Sequence, residues 1–301
     1  MNINRIRQNA IIKGHPFLTS IRWVKWIAHC IFRVPAVVKF TSIDRKLFLL
    51  PRLKNFGSTS IFIKREYYEP ELLIIRHFVT RDNMAIDIGG SFGIYTIFLS
   101  ELVGPQGMVV TFEPGDFSFS LLQKNMKLNN LENVSIHKLA LSDAAGSVPL
   151  YHIENSPVNF SLGGASGVES EMVPAARLDE IMDIHDGRVV SFIKIDVEGY
   201  EAIVFEGARV TIESMKPVIM FEVAHSAISR AGLEPSAPYT FLSEIGYLFY
   251  QYSNTGKFIS CVAPQEGNIF AVHREHLLRY PFLLKEDTIS PGMFSPNSLP
   301  I

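Results

Sequence analysis

Short apolar runs, rich in β-branched and aromatic residues, alternate with helical patterns from about residue 67 onward. The runs have the length of buried strands, and helical stretches such as 117–130 and 201–215 lie between most of them. This alternation predicts βαβ units and a parallel sheet with both faces covered by helices. The runs predicted as its strands are MAIDIG (84–89), MVVTFEP (108–114), VSIHKLAL (134–141), SFIKIDV (191–197) and PVIMFEV (217–223).

Two regions depart from this alternation. YLFYQYS (247–253) and GNIFAVH (267–273) have no helix-length segment between them. They are predicted to form a hairpin at an edge of the sheet, antiparallel to at least one neighbour. Residues 144–176 are rich in Gly, Ser, Asn and Pro and lack a helical period, which predicts a hairpin and a long loop on the ligand side of the sheet.

The first 54 residues carry a charge opposite to that of the rest of the chain. They hold eleven Lys or Arg against one acid, Asp44, a net charge of +10. The other residues hold 17 basic and 29 acidic side chains, a net charge of −12. Such an asymmetry indicates contact with something anionic: a membrane surface, an acidic glycan or the acidic body itself.

Within this basic segment, SIRWVKWIAHCIFRV (20–34) has the pattern of an amphipathic helix. Its polar side is predicted to hold Arg22, Lys25, His29 and Arg33, and its apolar side Trp23, Trp26, Ile27, Cys30 and Ile31. Its longest uncharged run has seven residues, far fewer than the about 20 that span a bilayer. Two interpretations stay open: a helix packed on the body or on a partner subunit, and a peripheral membrane contact through residues 16–40. Nucleic acid is not expected as a partner.

Composition bounds the class of protein. An apolar content of 47% with 19% charged residues indicates a globular chain. Cys30 and Cys261 lie in no ligand spacing, which excludes a disulfide framework and fits a reducing compartment. No signal-peptide pattern is evident, so a cytoplasmic location is expected. We divide the chain into a basic N-terminal arm (1–65), an α/β domain (66–280) and a Pro-rich tail (281–301).

AIDIGGSFGIYTIFLS (85–100) has the pattern of a strand that ends in a glycine-rich turn and opens a helix. Glycines permit tight turning and close approach of a ligand, and the helix N-terminus favours a negatively charged group. The glycines are Gly89, Gly90 and Gly93. Asp87 precedes them at the strand end, and Glu113 closes the next strand, where a carboxylate suits both hydroxyls of an adenosine ribose. Together these positions predict a nucleotide-like cofactor.

Two classes of cofactor compete for this motif. A dinucleotide requires G-x-G-x-x-G, and the glycine spacing from 89 to 93 does not match it. Asp87 would lie poorly beside a pyrophosphate, but an acid at this position suits the ammonium of an amino-acid moiety. The motif therefore favours S-adenosylmethionine (SAM) over NAD.

Three parts of the chain resemble, in order and spacing, the FkbM-type SAM-dependent methyltransferases. They are YYEPELLIIRHFV with AIDIGGSFGIYTIFLS, then VVTFEPGDFSFSLLQKNMKLNNLENVSIHKLALSD, then FIKIDVEGYEAIVFEGA, and the resemblance covers residues 66–273. It implies a class I methyltransferase fold: α/β, Rossmann-like and doubly wound, with a mostly parallel seven-stranded sheet and an antiparallel edge hairpin, here joined to an N-terminal helical arm. For characterised members it also implies methyl transfer to hydroxyls of sugars or polyketides.

The resemblance assigns positions to the cofactor as well. Asp87 and the three glycines correspond to the SAM loop, and Glu113 corresponds to the ribose contact. Ser142 and Asp143 correspond to the surroundings of the adenine.

The sequence departs from the family pattern at two places. Family members usually have Ala-Asn where this chain has Gly90-Ser91, which leaves the loop with one fewer amide side chain. They commonly have Gly-Asp where this chain has Asp82-Asn83, a change expected to alter only a turn.

The block KIDVEGYE carries three charges at alternate positions beside an apolar run. Its strand is predicted to be central, with Asp196 at the carboxyl end, where ligands bind in open α/β sheets. Asp196 is predicted to meet the methionine part of SAM, the acceptor or a metal. Glu198 is interpreted either as a helix-start acid or as a site residue. Lys194 is interpreted either as the neutralising partner of Asp196 or as a contact of the substrate.

Glu222 ends the neighbouring predicted strand and His225 follows it, so both are expected at the same rim as Asp196. Methyl transfer needs the acceptor oxygen close to the methyl group and a base for its proton. His225 suits this role because histidines titrate near neutral pH, with Asp196 and Glu222 as competing bases. A Mg²⁺ site formed by the same three residues is another open interpretation, as in some other sugar O-methyltransferases, although no ligand spacing is diagnostic.

Two functional hypotheses from different classes follow. The first is a SAM-dependent O-methyltransferase that acts on a hydroxyl of a sugar, a glycan or a related natural product. The second is a non-catalytic binding or scaffold protein on a methyltransferase fold, recruited to membranes by its basic arm. The acceptor pocket is predicted to be built by residues 144–176 and the N-terminal arm.

Overall fold

The structure, a computed structural model, describes residues 16–51, 56–152, 160–161, 170–182, 187–253, 256–261 and 264–284. Its strands are β1 (Ala36–Lys39), β2 (Lys46–Leu49), β3 (Met84–Ile88), β4 (Met108–Phe112), β5 (Val134–His137), β6 (Ala140–Leu141), β7 (Gly146–His152), β8 (Phe160–Ser161), β9 (Ser170–Ala176), β10 (Val190–Ile195), β11 (Val218–Val223), β12 (Tyr247–Tyr252), β13 (Phe258–Cys261) and β14 (Gly267–His273). Its α-helices are α1 (Pro16–Phe32), α2 (Phe56–Lys64), α3 (Glu71–Ile74), α4 (Ile94–Val103), α5 (Asp116–Leu128), α6 (Leu178–Met182), α7 (Glu201–Gly207), α8 (Arg209–Met215), α9 (His225–Arg230) and α10 (Ala237–Glu244). Short 3-10 helices cover Arg65–Tyr67, Ile75–His77, Arg274–Arg279 and Pro281–Leu283.

The large sheet has the order β13–β12–β14–β11–β10–β3–β4–β5. Strands β5, β4, β3, β10 and β11 are parallel neighbours, as the apolar runs predict. The predicted doubly wound, mostly parallel α/β sheet is therefore confirmed. Strand β10, which carries Lys194 and ends directly before Asp196, lies between β3 and β11. The carboxyl end of β10 consequently lies near the middle of the row formed by the carboxyl ends of the parallel strands.

The antiparallel edge differs in detail from the prediction. Strands β12 and β14 pair antiparallel, but β14, the later one in the chain, is inserted next to β11. Strand β13 adds an eighth strand to the seven predicted, within the described part of the chain. It pairs antiparallel with β12, and before it the Ser253 N–H donates to the Lys257 carbonyl at 2.8 Å.

Helices cover both faces of the sheet and form two apolar cores. On the first face α1, α2, α4 and α5 pack against side chains such as Phe192. On the second face α7, α8, α9 and α10 pack against side chains such as Ile193. Because side chains alternate along a strand, Lys194 shares the first face with Phe192. The charges of the central strand therefore face the N-terminal half of the chain.

The described part of the predicted basic arm is packed on this first face. Trp26 of α1 is fully buried, and its Nε1–H donates to Thr59 Oγ1 at 3.0 Å. Asn125 of α5 and Asn129, the residue after that helix, bond the backbone of β2: Asn125 Oδ1 accepts from the Phe48 N–H and Asn129 Oδ1 from the Lys46 N–H, each at 2.7 Å. The segment thus shares one core with the sheet, while the predicted division of the chain at residue 65 stays a prediction.

The buried side of α1 is not the one predicted. Arg22 turns inward and donates from Nη1 to the Ile63 carbonyl at 2.8 Å, whereas Ile27 and Ile31 are exposed. The two tryptophans set the orientation of the helix, because Trp23 and Trp26 pack into the core. Residues that share their side of the helix, such as Cys30, pack there as well. Ile27 and Ile31, which the sequence places on one apolar side with the two tryptophans, thus lie away from the core.

A second, smaller sheet has the order β6–β9–β7–β8, and its strands together with α6 lie between β5 and β10 in the chain. Strands β7 and β9 pair antiparallel, as the predicted hairpin requires. Most of the predicted long loop, at 153–159 and 162–169, lies outside the described residues, as does the tail from 285. None of the helices in the described ranges combines the length and apolarity needed to cross a membrane.

Candidate active site

Lys194 occupies the centre of the site on the first face of the sheet. It lies opposite Asp87 in the β10–β3 register and is 4% exposed. Its Nζ is 3.2 Å from Asp196 Oδ2 and 3.8 Å from Asp87 Oδ1, and lies over the Tyr95 ring at 4.8 Å. Burial alone would lower the pKa of Lys194, but the carboxylates of Asp196 and Asp87 outweigh it and raise that pKa. The ammonium is therefore held charged inside the protein, so the predicted neutralisation of Asp196 agrees with its placement.

Asp87 lies beneath the glycine loop. It is fully buried, and Thr96 donates from Oγ1 to its Oδ2 at 2.6 Å. Burial raises the pKa of Asp87, and the Lys194 ammonium partly offsets this. The carboxylate thus bonds the start of α4 and faces Lys194, and its predicted role toward the ammonium of a cofactor stays a prediction.

The glycine loop closes tightly over the end of β10. Gly89 has φ +79°, and a Cβ at this position would lie 1.9 Å from the Asp196 carbonyl oxygen. Gly93 has φ +92°, and a Cβ there would lie 2.7 Å from Leu122 Cδ1 of α5. Gly90 donates its N–H to the Phe112 carbonyl at 3.0 Å. Gly89 and Gly93 are thus favoured by their positive φ, and Gly89 also by the close approach of the β10 end, independently of any ligand.

Glu113 holds the same loop from the end of β4. Its Oε2 accepts from the Ser91 N–H at 2.8 Å and its Oε1 from the Gly115 N–H at 2.9 Å. Burial raises the pKa of Glu113 to about 7, and the two backbone donors counteract that rise. Each oxygen retains a second lone pair, so a carboxylate held in this way can still accept from two ribose hydroxyls.

Ser142 and Asp143, which the resemblance places near an adenine, follow β6. The Ser142 N–H donates to the Ala176 carbonyl at 3.0 Å, and its hydroxyl donates to Asp143 Oδ1 at 3.1 Å. A Cβ on Gly207 would lie 1.9 Å from the Ser142 carbonyl oxygen, so α7 packs directly on this turn. Asp143 is exposed, while Ser142 is buried.

A cluster of three half-buried carboxylates lies where β10 and β11 end. Oxygen atoms of Asp196, Glu198 and Glu222 lie within 4.8 Å of one another. The charge of Asp196, then burial and the charge of Glu198, raise the pKa of Glu222 to about 9, and a hydrogen bond with Asp196 adds to this. The neighbouring carboxylates thus favour the protonated form of Glu222, which can donate a hydrogen bond to Asp196.

Glu198 joins this cluster through an unusual backbone. Its φ is +55° and that of Gly199 is +99°. Glu201, 1% exposed, stabilises the turn, because its Oε1 accepts from the Val197 N–H at 3.1 Å and from the Gly199 N–H at 3.3 Å. The site interpretation of Glu198 thus has structural support that the helix-start interpretation lacks, since α7 begins only at Glu201.

His225 is not part of the group that the structure brings together. It opens α9, and its Nε2 is buried without a hydrogen-bond partner among the described residues. The open metal interpretation combined Asp196 and Glu222 with His225, whereas the described oxygens that converge are those of Asp196, Glu198 and Glu222.

Tyr68 and Glu69 also reach the site, and neither was selected from the sequence. The Tyr95 hydroxyl donates to Glu69 Oε2 at 2.6 Å. Burial raises the pKa of Glu69, and the charge of Asp196 raises it further while Lys194 opposes that effect. Burial and then the charges of Glu69 and Asp196 raise the pKa of Tyr68. The stretch YYEPELL, quoted above only for the family resemblance, therefore places Tyr68 and Glu69 near Asp196 on the first face of the sheet.

We expect Glu222→Gln to be more stable than the wild type, by a margin that grows as pH rises. The pKa of Glu222 lies near 9 in the folded protein and at 4.5 ordinarily, so the folded state binds the extra proton. The stability that the protonated Glu222 contributes is therefore fully present below about pH 4.5 and is lost as pH rises toward 9. A glutamine at this position does not titrate and keeps its contribution. Thermal unfolding at about pH 5 and about pH 8.5 should show a Tm gain for the variant that grows with pH. Glu244→Gln, at an exposed site on α10, is the matched control, and a gain equal at both pH values would contradict the raised pKa of Glu222.

The strand order, the glycine loop and the carboxylates at the strand ends define a class I methyltransferase fold. A family model described as the methyltransferase FkbM domain matches residues 87–249, more than half of the chain. The chain belongs to the FkbM methyltransferase family, which confirms the resemblance found in the sequence.

Individual relatives are more distant. The chain is 27% identical to "Methyltransferase 1" of Beauveria bassiana in an alignment 146 residues long that covers 42% of this chain and 58% of that protein. It is 26% identical to "Methyltransferase sdnD" of Sordaria araneosa in an alignment 156 residues long that covers 40% of this chain and 59% of the relative. The chain thus spans less than two thirds of the length of these curated relatives. A crystal structure of methyltransferase FkbM from Methylobacillus flagellatus KT is 16% identical, with a TM-score of 0.43, and the match covers 72% of this chain and 55% of that one.

Proposed function

We propose that this chain is a SAM-dependent O-methyltransferase that methylates a hydroxyl of a sugar, a glycan or a related natural product. The observation that carries the proposal is the excess of carboxylates around Lys194. Asp196 and Asp87 lie 3.2 and 3.8 Å from its Nζ, and oxygen atoms of Glu198 and Glu222 lie within 4.8 Å of Asp196. An excess of negative charge at the ligand-binding edge of the sheet favours a cationic ligand.

SAM fits this arrangement better than a dinucleotide does. Its sulfonium and ammonium groups are cations, and its ribose needs a carboxylate at the end of the second strand, where Glu113 lies. Gly89 and Gly90 bring the loop backbone within hydrogen-bonding reach of β4, since both N–H groups donate to the Phe112 carbonyl. When bound, SAM supplies an electrophilic methyl group. We assign Asp87 to the positioning of the loop and of Lys194, and Ser142 and Asp143 to the adenine side.

The residues of the cluster can handle the proton of an acceptor hydroxyl. When the new carbon–oxygen bond forms, the hydroxyl proton must leave, and the Asp196–Glu222 pair provides a carboxylate to accept it. Lys194 orients Asp196 from behind by the 3.2 Å contact. Most of the acceleration would come from positioning of the acceptor, with the base adding about 10²–10⁴-fold. His225, the competing base named from the sequence, lies outside this group, so the proposal gives the proton to the Asp196–Glu222 pair.

A non-catalytic scaffold on the same fold is the second candidate. The exposed apolar side of α1 favours recruitment to a surface. The carboxylate cluster argues against the absence of catalysis, because buried like charges cost stability and a scaffold has no use for them.

Transfer of an isotopically labelled methyl group tests the acceptor class. We expect the purified protein to move label from SAM to members of a panel of sugars, nucleotide sugars and polyketide alcohols, as ethers stable to mild base. Matched amines and carboxylic acids serve as controls. Label recovered on nitrogen or as base-labile esters would contradict the hydroxyl assignment.

A further inference from the structure

Helix α1 presents an apolar face to the solvent. Phe17, Val24, Ile31 and Phe32 are each between 67% and 75% exposed. Val34, just after the helix, is also more than half exposed. Contiguous exposed apolar side chains of this size are uncommon on a surface that has no partner.

This face cannot be buried by rotation of the helix, because the opposite side is already fixed. Trp26 is fully buried and bonded to Thr59, and Arg22 is bonded to the Ile63 carbonyl. Trp23 and Cys30 pack on the same core. The exposed apolar residues are thus a stable outer face of the molecule.

The charged residues of α1 and of the turn after it are all basic. Lys25 and Arg33 are exposed along the helix and at its end. Residues 16–51 contain one acidic residue, Asp44, which lies in the β1–β2 hairpin and pairs with Lys39 at 2.7 Å. A second copy of this face would place like charges against each other, whereas lipid phosphates would complement them.

We propose that α1 docks the protein on an anionic lipid surface, with its axis in the plane of the membrane. The apolar side chains enter the boundary between headgroups and acyl chains, and Lys25 and Arg33 contact the phosphates. This arrangement matches an interfacial helix: a helix of 17 residues that lies on the membrane and holds a folded domain there. The inference goes beyond the proposed function and does not depend on it.

Vesicle co-sedimentation of the full chain tests the docking. We expect binding to vesicles of phosphatidylcholine with phosphatidylglycerol, weaker binding to phosphatidylcholine alone, and a decrease with salt. Val24→Ser combined with Ile31→Ser should lower partitioning by about tenfold or more, since both side chains leave the acyl boundary. Lys25→Gln combined with Arg33→Gln should remove most of the preference for anionic lipid.

The matched control is Val210→Ser combined with Ile259→Ser. These residues, 63% and 55% exposed, lie on α8 and β13, so the control removes equal apolar groups elsewhere. Equal partitioning of the two double variants, or no binding of the wild type to anionic vesicles, would overturn the proposal. Concentration-dependent self-association that only the α1 variant loses would assign the face to a second copy instead. Methyl transfer in solution, measured on the same samples, separates this outcome from a failure of the proposed function.

Discussion

Asp196→Asn is expected to lower kcat by about 10²–10⁴-fold while the Kd for SAM changes by less than about tenfold. The variant keeps the shape of the side chain but removes the charge that faces the acceptor side of the cluster. It also removes the first cause of the raised pKa of Glu222, so Glu222 should ionise at lower pH. In a plot of activity against pH, the rise in the residual activity of the variant is therefore expected at a lower pH than the rise in the activity of the wild type.

Rates of S-adenosylhomocysteine formation across pH, with an acceptor from the hydroxyl panel, measure both effects. Asp82→Asn is the matched control, because Asp82 is an exposed acid on the turn before β3, at the opposite end of the strand. An equal loss of SAM affinity and of turnover would place Asp196 in contact with the cofactor instead. An unchanged pH profile would contradict the coupling between Asp196 and Glu222.

Gly89→Ala is expected to lower the Tm of the free protein and to abolish the increase in Tm that SAM gives. A left-handed φ costs an alanine about 1–2 kcal/mol. The new methyl group would in addition meet the Asp196 carbonyl oxygen at 1.9 Å, which forces the loop away from β10. Both the cofactor loop and the position of Asp196 would then be lost together.

Gly187→Ala separates strain from contact. Gly187 has the same φ, +79°, but a Cβ there meets nothing within 4 Å among the described residues. This control should lose only the stability that the strained backbone costs, and its SAM-induced Tm shift should equal that of the wild type. A preserved SAM shift in Gly89→Ala would show that the close approach of loop and strand is not needed for binding.

The central strand and its charges could be predicted from the sequence because they depend on local patterns. The apolar run ending in Asp196 indicates a buried parallel strand, and the alternation of side chains puts Lys194 and Asp196 on one face. The position of Asp87 beside Lys194 then follows from the parallel register of β3 and β10. Local periodicity was sufficient there.

Other parts of the site depend on long-range packing and could not be predicted in this way. Glu198 reaches the cluster only because its φ is positive and Glu201 holds the turn, and neither feature has a periodic signature. Glu69 lies 127 positions before Asp196 in the sequence and meets it through the packing of the first face. The orientation of α1 likewise depends on Thr59 and on the core that receives Trp26.

Titration calorimetry of SAM into the purified full chain tests most directly the claim that this carboxylate-lined edge binds the methyl donor. The account predicts saturable binding of one SAM per chain, lost in Gly89→Ala and retained in Gly187→Ala. A folded wild-type protein that gives no binding heat with SAM or S-adenosylhomocysteine, at ligand concentrations up to about 1 mM, would contradict it.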